Sequence, residues 1–454
     1  MDTIYKVFIS AVIMVSNGIG QVTLEATYPL PDERFKTDIL LVLAHPDDET
    51  AIGSYLAKLV FDDGKRVSAV YSNRGQGGGN SIGVEQSEAL GAIREIEVRR
   101  AMAKFGVTNL WFLDGDDTPG QDVFHSLHNL RHGAALEKLV RIIRLTRPEV
   151  IITWLPHHVS GENHGDHQAS GVLAVEAFDL AGNPIVFPTQ TAVARDRMDI
   201  LNFNDGLRPW QTKKLYFFSD RETGISAPGP DFDIKTISRA KGVPYYELAA
   251  SLHVEHKVQG EVAVVGADVL NEADIPGFID WLSRYNVIFG KSHVRAQPVD
   301  PIFSGINDEV LEFQPASGFK AKKHRGISMD AGGTHEFYRN FMRAHDMDHL
   351  VDLVEPEIMV SMGSYLHHPL IIRNNTRKSV RFTLKAQVPE GWNLYSGQGE
   401  YVLNPGEHMP VQTMIQCPWE ELDSSLIEWQ LWVGGKQIAN SSLKVKLVEW
   451  NLPQ

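Results

Sequence analysis

Cysteine is almost absent from this sequence of 454 residues, in which Cys417 is the only one. A single thiol excludes an internal disulfide, a Cys-x-x-Cys redox pair and a zinc site built from cysteines. Any metal ion that the chain binds must therefore be held by histidine, aspartate or glutamate side chains.

Positive charge is also scarce. The chain has 43 Lys and Arg residues against 57 Asp and Glu residues, which gives a formal net charge of -14. Affinity for nucleic-acid phosphates depends on clustered Lys and Arg, and the sequence has no long basic stripe. The composition therefore argues against a nucleic-acid partner and favours a neutral or cationic one.

Long apolar runs are missing too, since no stretch approaches the roughly 20 residues of a membrane-spanning helix. The first residues instead resemble a targeting segment: Lys6 precedes the apolar stretch 7–15, and small residues follow at 18–20. We interpret residues 1–20 as a signal peptide, although a short anchor or a buried first strand would give a similar pattern. We therefore expect a secreted or periplasmic protein with no transmembrane helix in the mature chain.

The region after Asp38 alternates apolar strands with helices, three of which end at a glycine or before a proline. This alternation predicts an α/β fold, a Rossmann-like doubly wound and mostly parallel sheet of strand order 3-2-1-4-5. The predicted strands are 39–44, 67–71, 110–113 and 150–154, and a further strand is predicted near 214–218.

The sequence pattern changes near residue 356, where short runs of β-forming residues alternate with residues typical of turns. This pattern predicts a C-terminal all-β sandwich, which resembles the immunoglobulin-like modules appended to secreted carbohydrate-active enzymes. We predict a catalytic domain over 21–353, with an extension after about 220, and a sandwich over 354–454. Sugar binding, spacing and docking all remain open as roles for the sandwich.

A first motif of metal-ligand type, Ala-His-Pro-Asp-Asp-Glu, follows the first strand at 44–49. Pro46 suits the first turn of a helix, where His45 and Asp48, three residues apart, converge on one point. Asp47 then points to another side and is free to act as a base. An ordinary helix start rich in capping acids would have the same composition.

A second motif, His-Gly-Asp-His at 164–167, follows the fourth strand. Other histidine pairs such as His253 and His256 share its spacing, so only its position distinguishes it. Strands 1 and 4 are neighbours at the switch point of such a sheet, where ligands bind. His45, Asp48 and His167 would leave an open position on Zn²⁺ or another divalent metal for a water.

The sequence resembles the PIG-L/LmbE-like zinc deacetylases over residues 38–216. The similarity rests on both motifs and on the segments Leu90–Glu97 and Phe105–Val107. The resemblance implies metal-ligand roles for His45, Asp48 and His167. It also implies Asp47 as general base and His164 as an oxyanion-stabilising or acid group.

Three further residues are candidates for substrate binding. Arg94 matches an arginine of the family that contacts sugar hydroxyls, with an ion pair to Glu97 as the equal alternative. Asp117 matches a sugar-binding aspartate more loosely, and a turn acid is the plainer interpretation. Asn80 ends a glycine-rich segment that we interpret as a rim over the pocket.

These observations predict a zinc-dependent N-deacetylase, a hydrolase of non-peptide carbon–nitrogen bonds. A metal-bound water would attack the acetamide of an N-acetylglucosamine-type glycoconjugate, with Asp47 as general base. The alternatives are a non-catalytic carbohydrate-binding protein on the same fold, and a metal-dependent O-deacetylase or amidase that acts on a non-sugar substrate.

Overall fold

The computed structural model describes residues 31–158, 164–193, 203–221, 223–320, 324–420 and 422–449. The predicted signal peptide at 1–20 lies outside these residues. Within them, no helix has both the length and the apolar character needed to cross a bilayer.

Strands and helices alternate over the first half of the described chain, and strands dominate the end. The strands are β1 (Ile39–Leu43), β2 (Val67–Tyr71), β3 (Leu110–Phe112), β4 (Val150–Trp154), β5 (Lys214–Phe218), β6 (Ile288–Ser292), β7 (Ile327–Ala331), β8 (Glu357–Ser361), β9 (Tyr365–Asn374), β10 (Val380–Gln387), β11 (Asn393–Ser396), β12 (Gly399–Leu403), β13 (His408–Gln416), β14 (Leu422–Val433) and β15 (Lys436–Val448). The α-helices are α1 (Gly53–Ala57), α2 (Ser87–Lys104), α3 (Val123–Asn129), α4 (His132–Thr146), α5 (Gly165–Leu180), α6 (Pro188–Thr191), α7 (Tyr245–His253), α8 (Glu261–Leu270), α9 (Ile275–Leu282) and α10 (Thr334–Ala344).

The first six strands form one sheet in the order β3-β2-β1-β4-β5-β6. All neighbours pair in parallel except β5 and β6, which are antiparallel. The predicted doubly wound α/β sheet and its strand order are therefore confirmed, and β6 adds an antiparallel edge that the sequence pattern did not indicate.

Apolar side chains fill both faces of this sheet. Along β1, Leu40 and Val42 belong to one core, which also contains side chains of α4, α5 and α10. Ile39, Leu41 and Leu43 point into the other core, with side chains of α1, α2 and α7. A strand buried on both faces must be apolar throughout, which is why β1 reads as an uninterrupted hydrophobic run.

The last strands form a β-sandwich, as predicted. One sheet has the order β12-β10-β14-β15-β8 and the other the order β11-β13-β9-β7. Trp429 and Phe382 lie in the core between the sheets. The boundary at residue 353 stays a prediction; β7, which precedes it, pairs antiparallel with β9.

Candidate active site

The two motifs lie at the same edge of the sheet. β1 and β4 are parallel neighbours, with Val42 opposite Thr153, so both strands end side by side. The first motif continues directly from β1, and the second begins α5, the helix after β4. The switch-point geometry thus brings together residues that are 122 positions apart in sequence.

Three predicted ligands form a compact cluster. Nδ1 of His45 lies 3.2 Å from Nε2 of His167, and these two nitrogens lie 3.7 and 3.4 Å from Oδ1 of Asp48. Two donors on one tetrahedral zinc ion, each at about 2.1 Å, are separated by about 3.4 Å. The spacing and the nitrogen and oxygen chemistry of the cluster therefore fit a divalent metal ion.

The second carboxylate oxygen of Asp48 is fully engaged elsewhere. Oδ2 accepts hydrogen bonds from the backbone N–H groups of Ala44 and His45 at 2.7 and 3.1 Å, and from Nε1 of Trp154 at 2.6 Å. Burial raises the pKa of Asp48, but the neighbouring imidazoles outweigh it and hold that pKa well below the usual range. Asp48 is thus an anionic candidate ligand with only Oδ1 directed at the cluster.

His167 is held in place by two residues that are not ligands. Its Nδ1 lies 3.0 Å from Oδ2 of Asp220, and its ring stacks on Trp154 with centroids 4.0 Å apart and planes 5° apart. Burial alone lowers its pKa, whereas Asp48 and Asp220 raise it to about 9. A carboxylate behind a histidine fixes the tautomer and orientation that a metal ligand needs.

Asp47 does not lie in a helix, so the expected helix start at Pro46 is wrong. A short 3₁₀ turn covers Asp48–Thr50, and the first α-helix begins only at Gly53. Asp47 has φ of 125° and ψ of -22°, a conformation that costs a non-glycine residue about 1–3 kcal/mol. This backbone geometry, and not helical periodicity, turns its side chain away from that of Asp48.

Two residues hold the Asp47 carboxylate. Nε2 of Gln259 donates a hydrogen bond of 2.6 Å to Oδ2, and Nη2 of Arg94 lies 3.3 Å from Oδ1. Burial raises the pKa of Asp47, and the Arg94 charge opposes that rise. A carboxylate with a raised pKa is better matched to accepting a proton at neutral pH.

Arg94 lies beneath the site and is only 4% exposed. Its guanidinium donates to the backbone carbonyls of Gly75 and Pro46 at 2.8 and 2.9 Å, in addition to Asp47. It occupies the space that a Cβ on Gly75 would fill, and Gly75 has a φ of 65°. The alternative ion pair with Glu97 is not found among the described contacts, since Glu97 accepts from the backbone N–H of Val258.

Asp117 faces the other side of His45. Its Oδ1 lies 3.3 Å from Nε2 of His45, and its Oδ2 accepts a hydrogen bond of 2.9 Å from the Gly77 backbone. Oδ2 of Asp166 lies 3.6 Å from the same nitrogen. His45 therefore presents Nδ1 to the cluster while carboxylates face Nε2, the arrangement that orients a ligating histidine.

His164 stands beside the cluster, with its ring centroid 5.0 Å from that of His45. Its Nδ1 accepts a hydrogen bond of 3.3 Å from the backbone N–H of Asp166. Burial, reinforced by the other two histidines, lowers its pKa to about 4. A neutral ring that accepts at Nδ1 carries its proton on Nε2, so His164 is a donor without being charged.

The side chain of Asn80 forms its hydrogen bonds within its own loop. Its amide nitrogen donates to Glu85, and its oxygen accepts from the backbone N–H groups of Ile82 and Gly83 at 3.1 and 2.8 Å. Within the described residues, none of its hydrogen bonds reaches the cluster. Its predicted contact with substrate stays a prediction.

Sequence reasoning missed the partners supplied by the later part of the chain. Gln259 and His256 follow α7; His256 pairs with buried Glu49 at 2.6 Å, and Tyr71 donates to the same carboxylate at 3.0 Å. Residues 251–260, which include His256 and Gln259, only partly resemble an Arg-Ser-Gln segment that lies downstream in some members of the family, and this was the one sequence signal for Gln259. Asp220, just beyond β5, had none.

The described residues contain two groups of three or more potential ligands whose donor atoms lie within 4.8 Å of one another. One is His45, Asp48 and His167; the other is His45, Asp117, His164 and Asp166. Neither includes His253 or His256. The model of the PIG-L family, described as GlcNAc-PI de-N-acetylase, matches residues 40–178. This chain carries a PIG-L domain.

Curated relatives of the PIG-L domain are deacetylases by name. A 1D-myo-inositol 2-acetamido-2-deoxy-alpha-D-glucopyranoside deacetylase of Frankia casuarinae is 30% identical over 225 residues, which cover 45% of this chain and 66%, just under two thirds, of that protein. A protein of the same description from Streptomyces scabiei is 27% identical, covering 61% of this chain and 87% of its own length.

Solved structures are similar at lower identity. An N,N'-diacetylchitobiose deacetylase from Pyrococcus horikoshii is 20% identical and covers 56% of this chain and 84% of its own, with a TM-score of 0.39. The family assignment rests on the matched PIG-L segment and the curated relatives, and it confirms the predicted family.

Proposed function

We propose that this chain is a zinc-dependent N-deacetylase that removes the acetyl group of an N-acetylglucosamine-type conjugate. One observation carries the proposal: a second carboxylate, Asp47, is held beside the donor cluster of His45, Asp48 and His167 by Gln259 and Arg94. A site that only binds metal or sugar has no need of it. The names of the curated relatives support the substrate class.

His45, Asp48 and His167 would hold the ion. Two imidazoles and one carboxylate with no cysteine are typical of a catalytic zinc site, which keeps a position open, whereas structural sites are closed. When bound, zinc supplies Lewis-acid activation of a water molecule and of the amide carbonyl. Another divalent cation remains compatible with these ligands.

The protein side chains supply the proton transfers. Asp47 accepts a proton from the attacking water, a role that its buried carboxylate and raised pKa favour. Nε2–H of neutral His164 donates to the developing oxyanion, since its Nδ1 already accepts from the backbone. Protonated Asp47 then returns the proton to the departing amine, which leaves acetate and a free amino sugar.

The test is acetate release from a panel of N-acetylglucosaminyl compounds, together with O-acetyl and non-sugar acetamide compounds. We expect Asp47→Asn to lose about 10²–10⁴-fold in turnover while it keeps its metal, because general-base catalysis contributes about that much. Asp116→Asn is the matched control, since its exposed carboxylate neighbours Asp117 without contacting the cluster. It should retain turnover.

Four results would contradict the proposal. Full turnover in Asp47→Asn would show that Asp47 is not the general base. Absence of bound divalent metal after reconstitution with zinc would show that the site does not hold a metal ion. Release of acetate only from the O-acetyl or non-sugar compounds would replace the substrate class. Binding of the N-acetyl sugars without any hydrolysis would instead support the carbohydrate-binding alternative.

We also propose that the protein is exported, on the basis of the apolar stretch at 7–15. Amino-terminal sequencing of the protein recovered from its native host should begin at Gln21. A mature chain that retains residues 1–20, or one confined to the cytoplasm, would overturn this proposal.

A further inference from the structure

Three buried histidines meet where the α/β layer contacts the sandwich. His158 follows β4, His335 lies in the first turn of α10, and His368 lies in β9. They are 3%, 6% and 3% exposed. The ring centroid of His335 lies 5.4 Å from that of His158 and 5.6 Å from that of His368. We call His158, His335 and His368 the junction histidines.

Four of the six ring nitrogens of the junction histidines lack a hydrogen-bond partner. Both nitrogens of His158 and the Nε2 atoms of His335 and His368 are buried without a hydrogen bond. A buried polar group left unpaired costs about 1–3 kcal/mol. Four such nitrogen atoms in one place indicate that a bound group, and not another part of the chain, interacts with them.

The junction histidines are neutral at physiological pH. Burial lowers the pKa of His158 to about 4 and that of His368 to about 3, and burial together with its histidine neighbours places the pKa of His335 well below the ordinary value. Neutral imidazole is the form that binds metals.

The charges around the junction histidines are nearly balanced. The ring of His368 stacks on Trp429, with centroids 5.1 Å apart, in the sandwich core. Asp122 and Glu357 face His158, while Arg339 faces His335 and His368. Glu357 is itself paired with Arg221 at 2.7 Å. No group of potential ligands among the described residues combines a carboxylate with a junction histidine.

The ring spacing resembles that of the candidate active site. There, the centroid of His45 lies 5.0 and 5.1 Å from those of His164 and His167. Two imidazoles on one tetrahedral ion have ring centres about 5 Å apart. The junction donors are not among the described groups within 4.8 Å of one another, so binding requires these rings to turn about their side-chain bonds.

We propose that His158, His335 and His368 bind a second transition-metal ion, separate from the one at the active site. A donor set made only of imidazoles selects zinc, copper, nickel or cobalt over calcium and magnesium, which require oxygen ligands. The ion would cross-link three segments distant in sequence and fix the sandwich against the α/β layer.

The experiment starts from full-length protein in which Asp48→Asn and His167→Gln disable the active-site cluster. After chelator treatment and gel filtration, Co²⁺ and Zn²⁺ are added, and bound metal is measured by mass spectrometry. We expect one equivalent in this double variant and two in the wild type. Adding His335→Gln should remove the remaining equivalent, whereas adding His253→Gln should not.

His253 is a matched control because it is also fully buried with an unpaired Nε2, yet it lies among Phe278 and Trp281 and not among the junction histidines. Cobalt-edge X-ray absorption of the double variant counts imidazole ligands and does not depend on the folding of any further variant. Three imidazoles are expected. No bound ion in the double variant, an ion retained by His335→Gln, or a spectrum without imidazole would overturn the proposal.

Discussion

The side-chain amide of Gln259 donates a 2.6 Å hydrogen bond to Oδ2 of Asp47, which lies 212 positions earlier in the chain. The backbone of Asp47 adopts a φ of 125° at the same place. A strained residue persists only where its surroundings fix it. The orientation of the proposed base therefore depends on a turn that follows α7, well outside the matched PIG-L segment.

Replacing Gln259 with leucine should impair proton transfer without removing the metal. A hydrogen bond to a charged group is worth about 1.5–3 kcal/mol, so we expect kcat/KM to fall about 10- to 100-fold. The amide stabilises ionised Asp47, so its loss raises the pKa of Asp47 and moves the acid limb of the pH profile to higher pH. Gln398→Leu, at an exposed sandwich position, should change neither. An unshifted acid limb would contradict the assigned contact.

Replacing Asp220 with asparagine should weaken metal binding. Asp220 lies 3.0 Å from Nδ1 of His167, and loss of such a partner costs about 10- to 100-fold in metal affinity. Competition with a chromophoric chelator measures the change, and excess zinc should restore part of the turnover. Asp231→Asn, at an exposed position, is the control. Equal affinity in Asp220→Asn and wild type would show that Asp220 does not support the ligand.

Replacing Gly171 and Gly133 with alanine should change the stability of the protein in opposite directions. A Cβ on Gly171, in α5, would lie 2.3 Å from the carbonyl oxygen of Trp154, whereas a Cβ on Gly133, in α4, meets nothing within 4 Å. We expect Gly171→Ala to lower the free energy of unfolding by about 1–3 kcal/mol through overpacking. Gly133→Ala should raise it by up to about 1 kcal/mol. Thermal denaturation at pH 7 measures both changes. Equal free energies of unfolding in the two variants would contradict the close approach of α5 to β4.

Stability should fall in mild acid, and His253 should account for part of the loss. Burial lowers the pKa of His253 to about 4, against an ordinary value of 6.5. As the pH falls from 6.5 to 4, the unfolded chain takes up a proton that the folded state refuses, so the free energy of unfolding decreases. The contribution is on the order of 3 kcal/mol for a shift of this size. Urea denaturation between about pH 7 and 4.5 should give a shallower pH slope for His253→Gln, and an identical slope would refute the assignment.

Much of the fold could be predicted because its signals are local. The apolar runs of β1, β2 and β4 and the periodic apolar face of α4 lie within single segments of sequence, and the alternation of strands with helices predicted the strand order. The edge strand β6 and the sandwich strand β7 could not be predicted in this way. Each lies on a sheet edge and carries mixed residues, so its pairing is decided by which other strand is within reach.

The donor set could be predicted from the sequence alone. His45, Asp48 and His167 follow two strands, and right-handed crossovers place these strands side by side. How these donors are held depends on the packed chain. Asp220 behind His167, Gln259 on Asp47 and Arg94 beneath the first motif come from segments brought together by packing alone. Hydrogen bonds between distant segments leave no periodic trace in a sequence, and the strained backbone of Asp47 leaves none either. The candidate ligands could therefore be named from the sequence, while the contacts that orient them and the proposed base could not.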